Sequence, residues 1–355
     1  MNRPIPSKSL AAIGRRTVAL VALTSVMLLG LVGAATAGAQ AGIYWGAQIG
    51  PQLTGEQAPW DMKAVYKFEN LAKKKVSLIS FQAPFASCDG ASCSYYPFPL
   101  EPMQNLRANG IIPFFSWSNS SVSEGTNDPQ FRLSNVINGR YDGYIREFAE
   151  AARAWGHPFF LRFDWEMNGN WFPWSEGVNG NKPGQFVAAW RHVHDIFTEV
   201  GATNATWVWC PNVGEQAPQQ YPGSRYVDWT CLDGYNWGTR YNWSSWQSFN
   251  KVFHASYKAV RKIAPNKPMI IGEVASTTYG GSKPDWITDM LREVRTHYKA
   301  VHGLVWFDVP DRGTKWPIES SRKATDAFAK GIANKSYRPN IFSELGDGPI
   351  FPPSP

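Results

Sequence analysis

A single (β/α)8 barrel is the fold that this sequence predicts, and three observations carry it. Eight short apolar or aromatic runs recur along the chain, helix-period stretches alternate with them, and no G-x-G-x-x-G turn follows any run. Strand–helix alternation implies a parallel sheet, and the missing glycine fingerprint sets aside the open doubly wound alternative. The runs are "GIYWGAQ" (42–48), "VSLISFQAPF" (76–85), "GIIPFFSWS" (110–118), "PFFLRFDWE" (158–166), "TWVWCPN" (206–212), "TCLDGYNW" (230–237), "PMIIGEVAS" (268–276) and "GLVWFDV" (303–309). Each is almost continuously apolar in its first half, as a parallel strand covered on both faces must be. Helices are expected over 141–155, 183–200, 244–264 and 283–301, with Pro183 and Pro284 near two starts, where a missing N–H costs little. The fifth connection, 213–229, reads as a loop. Trp155, Trp190 and Trp246 fall within helical patterns and read as packing residues, and Trp207 and Trp209 as wall-filling ones.

Residues 1–41 are expected to be a signal peptide. Arg3, Lys8, Arg15 and Arg16 precede an uncharged run that ends in small-residue cleavage options at 35–37 and 39–41. The run is nearly long enough to act as an uncleaved anchor, the alternative that its Ala, Gly and Thr content disfavours. Arg15–Arg16 also leaves the export route open. That leader holds four of the 35 basic residues and none of the 28 acids, so the remainder carries only +3 and no basic patch interleaved with stacking aromatics. A nucleic-acid partner is not expected. Residues 42–340 are expected to form the barrel, and the Pro-rich tail 341–355 a loosely held extension. Of four cysteines, Cys88 and Cys93 bracket "CDGASC" and are expected to pair. Cys210 and Cys231 fall on neighbouring predicted strands, and whether their heights allow a bridge stays open. No His stands at ligand spacing from either pair, so zinc is not expected.

Seventeen Trp are present, most beside Asn, Gly, Ser or Pro rather than inside apolar runs. Aromatic faces next to hydrogen-bonding groups suit sugar rings. Barrel active sites gather at the C-terminal strand ends. Those ends offer Gln82, Trp117, Asp164, Glu166, Asn168, Asn212, Tyr235, Asn236, Glu273, Trp306 and Asp308. Glu166 ends the fourth run and Glu273 the seventh, so a closed barrel brings them face to face although they stand 107 positions apart. Two carboxylates about 5–5.5 Å apart suit retaining glycoside hydrolysis, one a neutral acid and the other an ionised nucleophile. A Glu among 28 acids is ordinarily a solvated surface group. These two instead stand where buried runs emerge.

The segment "RFDWEMNGNWFPW" resembles the signature of family-26 glycoside hydrolases, the β-mannanase family, R-x-x-H-E-M-N-G-x-W. Arg162, Glu166, Met167, Asn168, Gly169 and Trp171 match, and the likeness continues through "WVWCPN", "YPGSRYVDWTCLDGYNW", "IIGEVAS" and "LVWFDV". The resemblance implies Glu166 as acid/base and Glu273 as nucleophile, with Tyr235 hydrogen-bonding the nucleophile and Trp171 and Trp306 forming the sugar platform. Arg162, Asp164, Trp165, Asn168, Trp174 and Trp237 complete the expected substrate-binding set, and Trp243 is a further loop candidate. Trp165 stands where the family has His; an indole donates one bond but neither accepts nor titrates. Either it desolvates Glu166 or it reshapes the pocket for another sugar. Asp164 would face the same way as Glu166 if the strand stayed regular; the alternative pairs it with Arg162 or another barrel cation.

The expected protein is a secreted, monomeric endo-β-glycanase that needs no cofactor or metal, acting first on β-1,4-mannan and alternatively on mixed-linkage glucan or β-1,3-xylan. A non-catalytic carbohydrate-binding barrel is the reading from another class. No stable membrane partner is expected after cleavage. No G-x-S-x-G elbow supports a serine triad, and His192 and His194 read as structural or solvated.

Overall fold

The computed structural model describes residues 42–354 apart from 91, 123–124 and 312; the expected leader lies outside the described residues. Eight parallel strands follow chain order: β1 (Ile43–Ile49), β2 (Leu78–Asp89), β3 (Ile112–Ser121), β4 (Phe159–Phe163), β5 (Ala205–Trp209), β6 (Trp229–Asn236), β7 (Met269–Ser276) and β8 (Val301–Asp308). β1 pairs with both β2 and β8, so the sheet closes into a barrel. Gly46 permits one tight seam there, since a Cβ on it would stand 1.7 Å from the Leu78 carbonyl oxygen. The helices are α1 (Met62–Ala72), α2 (Leu100–Ala108), α3 (Leu133–Ile137), α4 (Asp142–Trp155), α5 (Gln185–Val200), α6 (Phe249–Ile263), α7 (Lys283–Thr296) and α8 (Arg322–Ile332).

The expected runs and helices sit where periodicity put them, with ends set by caps. α4 stops at Gly156 in the left-handed region, and α5 at Gly201 likewise. α6 starts later than expected because Ser248 caps it, its hydroxyl accepting from the Lys251 N–H. Trp246 therefore precedes the helix. The β5–β6 connection carries only the 3-10 turn Ser224–Tyr226 among its described residues.

Two buried layers hold the barrel. Outside the sheet, α4 lays Ile145, Phe148, Ala149, Ala152 and Trp155 on it, with Phe148 stacked 4.1 Å from Trp117. Inside, Tyr44, Phe114, Phe160 and Trp229 fill the lower barrel, with ring centroids 5.3–6.3 Å apart between neighbours. Each such burial is worth roughly 1.5–3 kcal/mol. The tail differs from the expected loose extension. Ile350 is buried, its N–H donating to Thr206 Oγ1 at 2.8 Å and its carbonyl accepting from Trp229 Nε1 at 2.7 Å, and Tyr44 Oη donates to the Phe351 carbonyl. The tail closes the N-terminal end of the barrel, because the rings there carry polar atoms that need partners.

Both cysteine pairs form disulfides, Cys88–Cys93 and Cys210–Cys231. The first closes the hairpin made by the end of β2 and the antiparallel strand Ser92–Tyr95. The second joins the end of β5 to β6 inside the barrel. No helix among the described residues is long and apolar enough to cross a membrane.

Candidate active site

The mouth is built by the loop that leaves β4. The strand ends at Phe163, and Asp164 and Glu166 take φ values of +42° and +54°, both left-handed. Such non-glycine positions cost roughly 1–3 kcal/mol each and persist only where surroundings fix them. Here the Glu166 N–H donates to the Cys210 carbonyl at 2.7 Å and the Asp164 N–H to that of Trp117 at 3.1 Å. The kink ends strand alternation, so Asp164 and Glu166 do not share a direction. Asp164 is fully buried. Its Oδ1 accepts the Asn119 N–H at 2.7 Å and its Oδ2 has no partner. Burial raises its pKa well above the carboxylate range. Asp164 therefore neither meets substrate nor pairs with Arg162, correcting both expectations.

Glu166 and Glu273 face each other as the closed barrel requires, with carboxylate oxygens of Glu166, Asp233 and Glu273 all within 4.8 Å of one another. Glu166 Oε1 accepts from Asn212 Nδ2 at 2.6 Å and Oε2 from Trp171 Nε1 at 2.7 Å. Burial and then the Glu273 charge push Glu166 up to about 7, against those two hydrogen bonds and the Arg162 charge. Asn168 acts one step back: it exchanges two 2.8 Å hydrogen bonds with the Asn212 backbone and so aims the Asn212 amide.

Glu273 has a different shell. Arg162 Nη2 donates to its Oε1 at 2.6 Å and the Tyr235 hydroxyl donates to its Oε2. Arg162 is fully buried, so it positions Glu273 rather than touching substrate. Its Nε donates to Ser116 Oγ at 2.7 Å and its Nη1 to Asp233 Oδ2 at 2.8 Å. Burial disfavours its charge, but Asp233 and Glu273 outweigh that and its pKa stands raised. Burial also raises Tyr235 well above the phenol range, which keeps it a donor. Asp233 is raised well above its usual range by burial, with Arg162 opposing. Cys210 Sγ lies 3.1 Å from Asp233 Oδ1, a contact without a proton because that sulfur is bridged. The spacing of the three carboxylates would suit a cation, and Arg162 already brings positive charge to two of them.

Trp165 lays its ring 4.9 Å from the Arg162 guanidinium carbon and packs against Phe172 and Trp174 at 5.4 and 5.0 Å. It is an apolar wall that holds Arg162. Trp174 is buried, stacked on Phe172 at 4.4 Å, with its Nε1 donating to the Trp165 carbonyl. Buried and bonded in this way, it supports the loop and presents no open face to a sugar. Trp306 is also corrected. It is fully buried and points outward from β8 against Trp286 and Phe328. Side chains alternate along a strand, so the next residue, Phe307, faces the mouth, 5.5 Å from Tyr235. Trp171 stays 47% exposed beside Glu166, and Trp237 is half-buried with Trp243 5.6 Å away. Trp243 stacks on Tyr241 at 5.2 Å and is 68% exposed.

Of the remaining strand-end residues, Asn236 and Asp308 are buried and tie down loops through Gln247 and Ile318 backbone N–H groups. Asp233, Phe307 and Trp316 were missed by the sequence reading. Asp233 stands two residues before Tyr235 on β6, so alternation alone would have put both on the inner face. Trp316 lies in the loop after β8, 5.3 Å from Tyr235 and 4.9 Å from Trp237.

The chain matches glycosyl hydrolase family 26 over residues 118–307. It is 41% identical over 266 residues to endoglucanase H of Acetivibrio thermocellus, covering 68% of this chain and 29% of that protein. It is 24% identical over 243 residues to a mannan endo-1,4-β-mannosidase of Bacillus subtilis, covering 62% and 60%. The chain thus spans less than two thirds of the length of either relative. Among solved structures, a family-26 β-mannanase from Bacteroides ovatus superposes with a TM-score of 0.61 at 17% identity, covering 84% of this chain and 90% of that one, which supports the barrel fold. The chain belongs to glycosyl hydrolase family 26, a family of retaining glycoside hydrolases.

Proposed function

We propose that this barrel hydrolyses a β-linked glucan with retention, Glu166 serving as acid/base and Glu273 as nucleophile. The observation that carries the assignment is the opposed setting of two carboxylates within 4.8 Å. Glu166 is pushed up to about 7, while Arg162 and Tyr235 each donate to an oxygen of Glu273. That separation is too short to seat the attacking water of an inverting enzyme, which needs about 6.5–9.5 Å. In the first step a Glu273 oxygen attacks the anomeric carbon while Glu166 protonates the departing glycosidic oxygen. The C–O bond breaks and a glycosyl ester forms. In the second, ionised Glu166 takes a proton from water, whose oxygen displaces Glu273 from the anomeric carbon and returns both carboxyls to their starting states.

The glucan reading replaces mannan as first choice. The relative named an endoglucanase is the more similar of the two, and Trp165 offers the sugar no acceptor. Mannan is the second reading, favoured by the B. subtilis relative's name. The exposed Trp171 and the Tyr241–Trp243 stack give an open aromatic rim that suits a polysaccharide cleaved within its chain. Two disulfides and the family suit an extracellular enzyme, with 1–41 as its export leader and 42–340 as the catalytic barrel. The test is product analysis on mixed-linkage glucan, cellulose, mannan and β-1,3-xylan, with Glu273→Ala alongside. Release of oligosaccharides from a glucan by the parent alone supports the reading. Release from mannan only would move the substrate, and turnover by Glu273→Ala would remove the nucleophile assignment.

A further inference from the structure

We propose that Lys283 is a positioning residue for the nucleophile: its ammonium fastens the loop after β8 so that Trp316 buttresses Tyr235, the donor to Glu273. The inference rests on Glu273 acting as the nucleophile. Lys283 is the first residue of α7 and is 1% exposed. Its Nζ donates toward three successive carbonyls, those of Lys315 at 2.7 Å and of Trp316 and Pro317 at 2.8 Å each, and toward Ser320 Oγ at 3.0 Å. Three ammonium protons converge on four acceptors, a dense use of one cation for a short loop. Lys315 turns that loop through a left-handed φ of +59°. The turn brings the Trp316 indole, 1% exposed, against the Tyr235 ring at 5.3 Å and 35°. The path therefore runs from α7 through the loop to β6, and from Tyr235 to Glu273.

A lysine that merely filled space would be costly, since burying a charge without partners is strongly unfavourable. Burial pulls the ammonium down to about 7, with Asp308 and Glu319 opposing, so the clamp is charged on the acidic side of neutrality. Around Glu273 the charged and titratable groups are Arg162, Asp233, Glu166 and Tyr235. A donor to the charged form of a carboxylate favours that form, so freeing Tyr235 should make activity fail at a higher pH on the acidic side.

The experiment measures kcat/KM against pH for the parent, Lys283→Met, Tyr235→Phe and the double variant on the glycan that the parent cleaves. Lys283→Met should move the acidic limb upward, as Tyr235→Phe does. It should also lower kcat about tenfold with little change in KM, the pattern of a lost transition-state interaction. The double variant should lose no more than Tyr235→Phe alone, because both act on one contact. Trp316→Leu keeps the ammonium and carbonyls paired, and should reproduce the acidic shift even if Lys283→Met fails to fold. An unmoved acidic limb in whichever of these two variants folds, or losses that multiply in the double variant, would overturn the proposal. Turnover that survives Glu273→Ala would overturn the nucleophile assignment and this inference with it, and that variant tells the two failures apart.

Discussion

Replacing Glu273 with Gln should lower the pH at which Glu166 gives up its proton. Glu166 stands at about 7, first through burial and second through the charge of Glu273. Two unit charges within 4.8 Å of each other at an effective dielectric of about 20 repel by about 3.5 kcal/mol or more, equivalent to about two and a half pH units. Each charge is spread over two oxygens and Arg162 pairs with Glu273, so the expected fall is about one to two pH units. Burial remains in the variant, which keeps the midpoint above the ordinary glutamate value. The assay is a carbon-13 NMR titration of labelled Glu carboxyls, with Glu166→Gln identifying the resonance. A midpoint that stays at about 7, or rises, would refute the electrostatic coupling. Stability carries the same sign. A carboxyl raised above its unfolded value stabilises the fold fully below that value, and the benefit is lost as pH climbs to about 7. That loss is about 3 kcal/mol in the parent, and it should shrink in Glu273→Gln.

Asn212→Ala removes a hydrogen bond that favours ionised Glu166, so the alkaline limb of kcat/KM should move to higher pH; an unchanged limb would count against Glu166 as the acid. Arg162→Leu leaves Asp233 and Glu273 buried without their cation, and urea unfolding at pH 7 should show a loss of about 3–5 kcal/mol. A loss below about 1 kcal/mol would mean that the pairing does not hold the mouth. Trp306→Phe should cost about 1–3 kcal/mol of stability with KM changed less than about twofold, since the ring lies outside the barrel wall. A tenfold rise in KM would return Trp306 to the substrate platform.

The barrel and the catalytic pair were legible because buried parallel strands leave long apolar runs and because a charged residue at the end of such a run has few structural uses. Glu166 and Glu273 carry that signal. What the sequence hid was direction. Two left-handed residues at 164 and 166 broke the alternation that would have aimed Asp164 at the sugar, and no residue type there announces such a kink. The same parity rule, applied to β8, exchanges Trp306 for Phe307, a distinction that one position decides. Asp233 was overlooked although it shares a face with Tyr235, because its partner Arg162 lies 71 positions away and only closure brings them together. Trp316 sits in the loop after β8 and Lys283 at the start of α7, after a different strand, where local patterns say nothing of mutual approach. The tail misled for a related reason: its prolines read as loose chain, while the groups that tie it down belong to the barrel interior.

The central claim is that Glu273 forms a covalent glycosyl-enzyme, and the most direct measurement is mass spectrometry of the protein treated with an activated β-glycoside fluorinated at C2. Such a substrate esterifies a nucleophile faster than the ester hydrolyses. The account predicts one glycosyl mass added to the intact chain and, after digestion, to the peptide that contains Glu273, with no adduct in Glu273→Ala. A label on any other carboxylate, or turnover that gives the inverted anomer without an adduct, would contradict it.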